Sequence, residues 1–230
     1  MTPASIIHNI KERTSSIILF HSGTGKDSIC LCDMLSKKFD RVVCVFMYMV
    51  DGLDYENRYI NWALNRYPNI EFYKTPHYAL YSYIKVGYLG IKKEENIGKF
   101  PISKIDKLVR VKYKIDYSVF GLKKSNGIGS IFTLNMAKEG INEKTNRCYP
   151  LKDWGNNDVM AYIHLNNLIE PFRYDKHKAH SGCNISDPLF LSYLQNKYPN
   201  DLQKVIAQFP LCENILFKYN LYGNIENKAE

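Results

Sequence analysis

Seven residues, Ser22-Gly23-Thr24-Gly25-Lys26-Asp27-Ser28, bring together two glycines, three hydroxyls, an ammonium and a carboxylate. They lie between an apolar run, Ser16 to Phe20, and a segment of helical spacing through Ile29, Leu31, Cys32 and Leu35. Strand, glycine turn and helix, in that order, make a phosphate cradle. Glycines let the backbone approach an anion, the first N–H groups of the helix point at it, and the helix dipole favours negative charge there. Lys26 adds a cation, and Ser22, Thr24 and Ser28 add donors. Asp27 would repel a phosphate unless a divalent cation lies between them or its carboxylate braces the loop's own N–H groups. The run therefore points to a metal-assisted nucleotide site. The bland reading is a tight strand-to-helix turn. A P-loop is excluded, because Phe20 stands where its first glycine belongs and Asp27 where its Ser or Thr belongs.

A second cluster has the same grammar. Tyr117 to Phe120 reads as a strand that runs into Gly121-Leu122-Lys123-Lys124-Ser125-Asn126-Gly127, again a glycine, cations and a hydroxyl at a strand end. Asp51-Gly52 closes a third apolar run, Arg41 to Tyr48. Further along, His177 and His180 with Asp175 and Cys183 offer zinc-type ligands, although the lysines between them favour a loop closing over phosphates. His21 either packs or touches the nucleotide. The six cysteines are scattered, and Cys30 and Cys32, two apart on a helix, point to different faces, so buried reduced thiols are expected.

The elements that must hold these residues alternate. Continuous apolar runs at 16–20 and 41–48 suit strands buried on both faces, Tyr55 to Tyr67 has a helical stripe ended by Pro68, and Ile70 to Lys74 is a short third strand. The pattern predicts a doubly wound, mainly parallel α/β sheet with ligands at the carboxyl ends of its strands. A mobile loop or lid is expected from Tyr81 to Gly98, a helix from Ile102 to Tyr113, a helix capped by Asn156 or Asn157, and a helical stripe from Leu189 to Phe209. The chain has 230 residues, is 45% hydrophobic and carries a formal charge of +8. Lysines at 92, 93, 104, 107, 112, 114, 123 and 124 alternate with tyrosines and phenylalanines. That pattern fits a tRNA or DNA surface, or equally a solvated helix face beside a one-nucleotide pocket. No window reaches the roughly 18 apolar residues of a membrane span, and a cytoplasmic protein is expected.

The first loop resembles the PP-loop of the ATP pyrophosphatases and sulfonucleotide reductases, Ser-Gly-Gly-x-Asp-Ser, with Thr24 as one extra residue. Gly121-Leu122-Lys123-Lys124 is similar to that superfamily's Gly-[Ile/Leu]-Arg segment with lysine for arginine, and Tyr149 to Ile163 is similar to its Pro-Leu-x-x-Trp-x-x-x-Asp-Val block. The resemblance, to the phosphoadenylyl sulfate reductase family, spans about residues 16–185. It implies a Rossmann-like fold of the adenine nucleotide alpha hydrolase type, with residues 1–185 binding nucleotide and 186–230 forming a helical extension. It further implies ATP or a phosphoadenylyl sulfate-type nucleotide with Mg²⁺, held by Ser22, Gly23, Thr24, Gly25, Lys26, Ser28, Asp51, Gly52, Gly121, Lys123, Lys124 and Ser125. The activity it implies is α,β cleavage of ATP with pyrophosphate release, or action on an adenylyl sulfate nucleotide, with Lys26 and Asp27 as the catalytic residues and Asp27 orienting Mg²⁺ or bracing the loop. The alternatives are a non-catalytic family member that binds nucleotide for assembly or regulation, and a reductase using Cys212 as a displaced nucleophile; for either, the C-terminal stripe leaves a homo-oligomer open. The paired cysteines of the iron–sulfur branch are missing, so no iron–sulfur cluster is expected.

Overall fold

Residues 1–171, 173–175, 178–179 and 184–226 are described by a computed structural model, with 173–175, 178–179 and 222–226 as backbone alone. His177, His180 and Cys183 lie outside the described residues, as does the side chain of Asp175. Six strands form one sheet: β1 (Ser16–Ser22), β2 (Arg41–Tyr48), β3 (Ile70–Pro76), β4 (Ser118–Phe120), β5 (Ile141–Asn142) and β6 (Arg147–Cys148). Their order is β3-β2-β1-β4-β6-β5, and every pairing is parallel except β5 with β6. The chain winds outward from β1 through β2 to β3, then crosses back to place β4 on the other side of β1. That reversal opens a crevice between the carboxyl ends of β1 and β4, where open α/β sheets bind ligands.

Alternation along β1 assigns its two faces. Ile17, Leu19 and His21 face a core built with α1 (Pro3–Lys11), α2 (Lys26–Ser36), α3 (Asp54–Arg66) and α7 (Asn156–Leu165). Ile18 and Phe20 face a smaller core completed by Ile105 and Val109 of α5 (Ile102–Tyr113). The remaining helices are α4 (Tyr78–Val86), α6 (Ile128–Asn135), α8 (Pro188–Lys197), α9 (Pro199–Gln208) and α10 (Leu211–Glu226). The last three pack Phe190, Leu191, Leu194, Val205 and Phe209 on Val50, Leu53 and Tyr55. Each such buried aliphatic or aromatic side chain contributes roughly 1.5–3 kcal/mol relative to exposure.

Three local expectations change. The loop expected at 81–98 is helical as far as Val86, where Gly87 ends α4 in the left-handed region at φ 69°. The single stripe expected at 189–209 is two helices, because Pro199 starts a new one, and Pro210 precedes a third. Gly155, and neither asparagine, caps α7, and its N–H donates to Asp158 Oδ2 at 2.7 Å. The smaller residue leaves room for the aspartate to reach back, which also sets a carboxylate against the positive end of the helix.

Candidate functional site

Parallel pairing of Ile18 with Ser118 and Phe20 with Phe120 brings the turns after β1 and β4 side by side. Gly23 takes φ 63°, and Gly25 then caps α2, accepting N–H groups of Ser28 and Ile29 at 3.1 and 3.2 Å. At the start of the helix Lys26 is 2% exposed and Lys123, from the neighbouring turn, is fully buried. Lys123 Nζ donates to Asp27 Oδ1, and Lys26 Nζ lies 3.8 Å from Asp27 Oδ2. One carboxylate thus stands between two buried ammonium groups. Burial lowers the pKa of Lys26 against the pull of Asp27, and Lys123 lowers it further. Glycine at 121 allows the two turns to approach closely: a Cβ there would come 3.0 Å from the Cβ of Asp27 and press it aside by a few tenths of an ångström.

Beside this trio lies a cavity of about 610 Å³, with Ser22, Gly25, Asp27 and Ser28 on one wall and Gly121, Leu122 and Asn126 on another. Its volume is in the range of small-molecule and cofactor sites. Phe20 and Phe120 stack at 4.6 Å along its floor, and the Arg147 guanidinium sits 5.2 Å from the Phe120 ring centre. Arg147 is aimed by buried Asp106, whose Oδ2 accepts its Nε–H at 2.9 Å. Asp106 Oδ1 also accepts from Arg110 at 2.8 Å and from Ser118 at 2.6 Å. At the loop's entrance His77 Nδ1 accepts the Ala79 N–H at 3.2 Å, which puts the ring proton on Nε2, 3.2 Å from Ser22 Oγ. Burial draws the His77 pKa down to about 4, so the ring is a neutral donor.

The chain matches the phosphoadenosine phosphosulfate reductase domain over residues 17–187. It belongs to that family. Among solved structures it is similar to the U34-tRNA thiolase NcsA from Methanococcus maripaludis with its [4Fe-4S] cluster. That likeness has 16% identity, covers 92% of this chain and 78% of the other, and has a TM-score of 0.46. No curated protein matches it significantly in sequence.

Within this reductase-family domain the sequence-derived candidates divide. Ser22, Gly25, Asp27, Ser28 and Gly121 line the cavity, while Lys26 and Lys123 reach it through Asp27. Gly23 shapes the turn, and Thr24 points away, its Oγ1 donating to the Tyr55 hydroxyl at 2.7 Å. Lys124 pairs with Asp153 at 2.6 Å and Ser125 Oγ donates to the Trp154 carbonyl at 3.3 Å, so both brace the 149–155 segment. Asp51 is salt-bridged to Lys74 at 2.9 Å, and the Gly52 carbonyl accepts from Lys204 at 2.6 Å, outside the cavity lining. Sequence reasoning missed Arg147, Asp106 and His77, since their cooperation joins segments about 40 residues and more apart.

The cysteines overturn one expectation. Without paired motifs the chain was expected to hold no iron–sulfur cluster, but that absence does not stand. The fold gathers His21, Cys32 and Cys44, all buried, with their ligand atoms within 4.8 Å of one another. Soft metal-binding groups far apart in sequence therefore meet in space, so the lack of paired cysteine motifs does not exclude a metal group. Cys212, by contrast, is fully buried, donates to the Ile185 carbonyl at 3.2 Å, and has its pKa pushed up to about 11 by burial. A nucleophilic thiol requires the opposite shift.

Proposed function

We propose that the cavity binds an adenine nucleoside triphosphate with Mg²⁺ and that the domain transfers the adenylyl group to an acceptor, releasing pyrophosphate. The observation that carries this reading is the Lys26–Asp27–Lys123 array at the cavity wall. Phosphate oxygens entering beside Gly25 and Ser28 would take over the two ammonium groups. Asp27, so released, would be the residue to hold Mg²⁺ beside them. In the reaction an acceptor oxygen attacks the α-phosphorus, a new O–P bond forms, the α–β bridging bond breaks, and its electrons leave on pyrophosphate. Lys26, Lys123 and the N–H groups at the start of α2 stabilise the charge that builds on the leaving group, and Mg²⁺ would supply further charge neutralisation there when bound. The Phe20–Phe120 floor suits the apolar base, and Arg147 offers the bidentate fork that Lys123 cannot make. The acceptor we favour is small: Lys104 and Lys112 of the basic middle third already lie 5.0 Å over Phe100 and 4.5 Å over Tyr73, as on a solvated helix face.

The test is calorimetric titration with ATP and with phosphoadenylyl sulfate, each with and without Mg²⁺, followed by a pyrophosphate assay. Mg²⁺-dependent ATP binding that is lost in Lys123→Met is expected. Preference for the sulfated nucleotide, or unchanged affinity in Lys123→Met, would refute the assignment. A non-catalytic binder would show the same affinity without pyrophosphate.

A further inference from the structure

On the far side of β1 from the cavity, one residue before the phosphate loop, His21 is fully buried and neither ring nitrogen has a hydrogen-bond partner. The ring lies among Phe46, Tyr59 and Phe72 at centroid distances of 6.2, 5.7 and 5.7 Å, a wall that offers it no donor or acceptor except the Tyr59 hydroxyl. That hydroxyl is itself buried and unpartnered. Leaving a buried polar group unpaired costs roughly 1–3 kcal/mol, and a neutral imidazole has both an N–H and a lone pair to satisfy. An apolar residue at 21 would avoid the cost. The two thiols beside it, Cys32 from α2 and Cys44 from β2, complete a set whose ligand atoms lie within 4.8 Å of each other.

We infer that His21, Cys32 and Cys44 form a binding site for a single zinc ion that fastens the base of the phosphate loop. Two thiolates and an imidazole are zinc ligands of ordinary type, and ligand atoms on one tetrahedral zinc stand about 3.8 Å apart when Zn–S bonds are 2.3 Å. The observed grouping requires only a small contraction to reach that. Charge selects a divalent ion, and the thiolate–imidazole donor set suits zinc. Binding releases one proton from each thiol, so two thiolates and Zn²⁺ sum to zero, and the site can be dry without burying net charge. A monovalent copper ion on the same ligands would leave one negative charge in the core. The Tyr59 hydroxyl is an oxygen donor for the remaining position.

Placement gives the site its consequence. His21 ends one residue before Ser22, Cys32 lies in the helix that the loop starts, and Cys44 belongs to the next strand. An ion held by all three ties β1, α2 and β2 together just behind the phosphate cradle. It does so whichever nucleotide the cradle takes, so the inference does not depend on the proposed reaction.

The experiment is metal quantification on the full chain produced in zinc-supplemented medium, alongside the Cys32→Ala/Cys44→Ala double variant. We expect about one zinc per chain in the wild type and less than about a tenth in the variant. Replacing zinc by cobalt(II) should give the intense thiolate-to-cobalt absorption in the wild type alone. Should the variant fail to fold, X-ray absorption at the zinc edge of the wild type decides, with two sulfur and one or two nitrogen or oxygen scatterers expected. Zinc retained in a folded double variant would place the metal elsewhere and overturn the inference. So would iron with acid-labile sulfide, a wild type below a tenth of an ion, or a mass lighter by two hydrogens that marks a Cys32–Cys44 disulfide.

Discussion

Adjacent residues of one strand face opposite kinds of polar environment. Ser22 opens on a cavity where each charge is already answered by another: Asp27 lies between Lys26 and Lys123, and Asp106 between Arg110 and Arg147. His21 turns into a closed core where the polar atoms of the ring have no partner. A site that exchanges ligands must be stable empty, so its charges pair internally and swap partners when phosphate arrives. A site that is filled once, as the chain folds, has no such need and can leave its donors unanswered until an ion comes. The contrast teaches where to look for each kind: ion pairs at an open rim, orphaned atoms in a dry interior.

The comparison is broken most forcefully on the open side. Lys26→Met should lower nucleotide affinity about 100-fold, roughly 3 kcal/mol, by titration calorimetry. The empty protein should unfold at the same denaturant concentration or a higher one, because a buried cation whose pKa burial lowers has gone. His77 sharpens the comparison through pH. Its folded pKa of about 4 lies below the ordinary 6.5, so the stability it contributes is complete above pH 6.5 and is lost as the pH falls toward 4. Acid unfolding should show a loss on the order of 1–3 kcal/mol over that range, and His77→Asn, which can still cap α4, should flatten it. Gly121→Ala presses a methyl group on Asp27, and a tenfold loss of affinity, about 1.4 kcal/mol, is expected with little change in melting temperature. The smallest effect belongs to the closed side: Tyr59→Phe removes an unpaired buried hydroxyl and should raise metal-free stability by about 1 kcal/mol. A large loss there would mean that the hydroxyl has a partner in solution.

The sheet was legible because its signals are local and redundant. Runs such as Val42 to Met47 are too apolar and β-branched for a surface helix, and the glycine turns sit at strand ends. The turn between β1 and α2 was legible for the same reason, its glycines and hydroxyls being seven consecutive residues. Arg147 was not, since its position depends on Asp106 from α5 and on a two-residue strand too short to leave a periodic trace. Asp51 and Gly52 stand at a strand end, yet Lys74 and Lys204 claim them, and no spacing rule reveals a competitor from elsewhere in the chain. The His21, Cys32 and Cys44 grouping follows no linear metal motif. One hint was present: positions 17, 19 and 21 share a face, and the first two are isoleucine and leucine, which predicts a dry environment for the histidine.

Asp201 sits at 0% exposure in α9, and its two carboxylate oxygens accept the N–H groups of Asp54 and Tyr55 at 2.9 and 2.8 Å, closing the front of α3. Tyr55 in turn receives the hydroxyl of Thr24 from the phosphate loop. The helices after residue 185 are thus the far end of a strut that ends in the loop. A fragment cut before them would forfeit the geometry of that turn along with the mass it sheds, so the smallest unit that keeps the proposed cradle is longer than the matched residues 17–187.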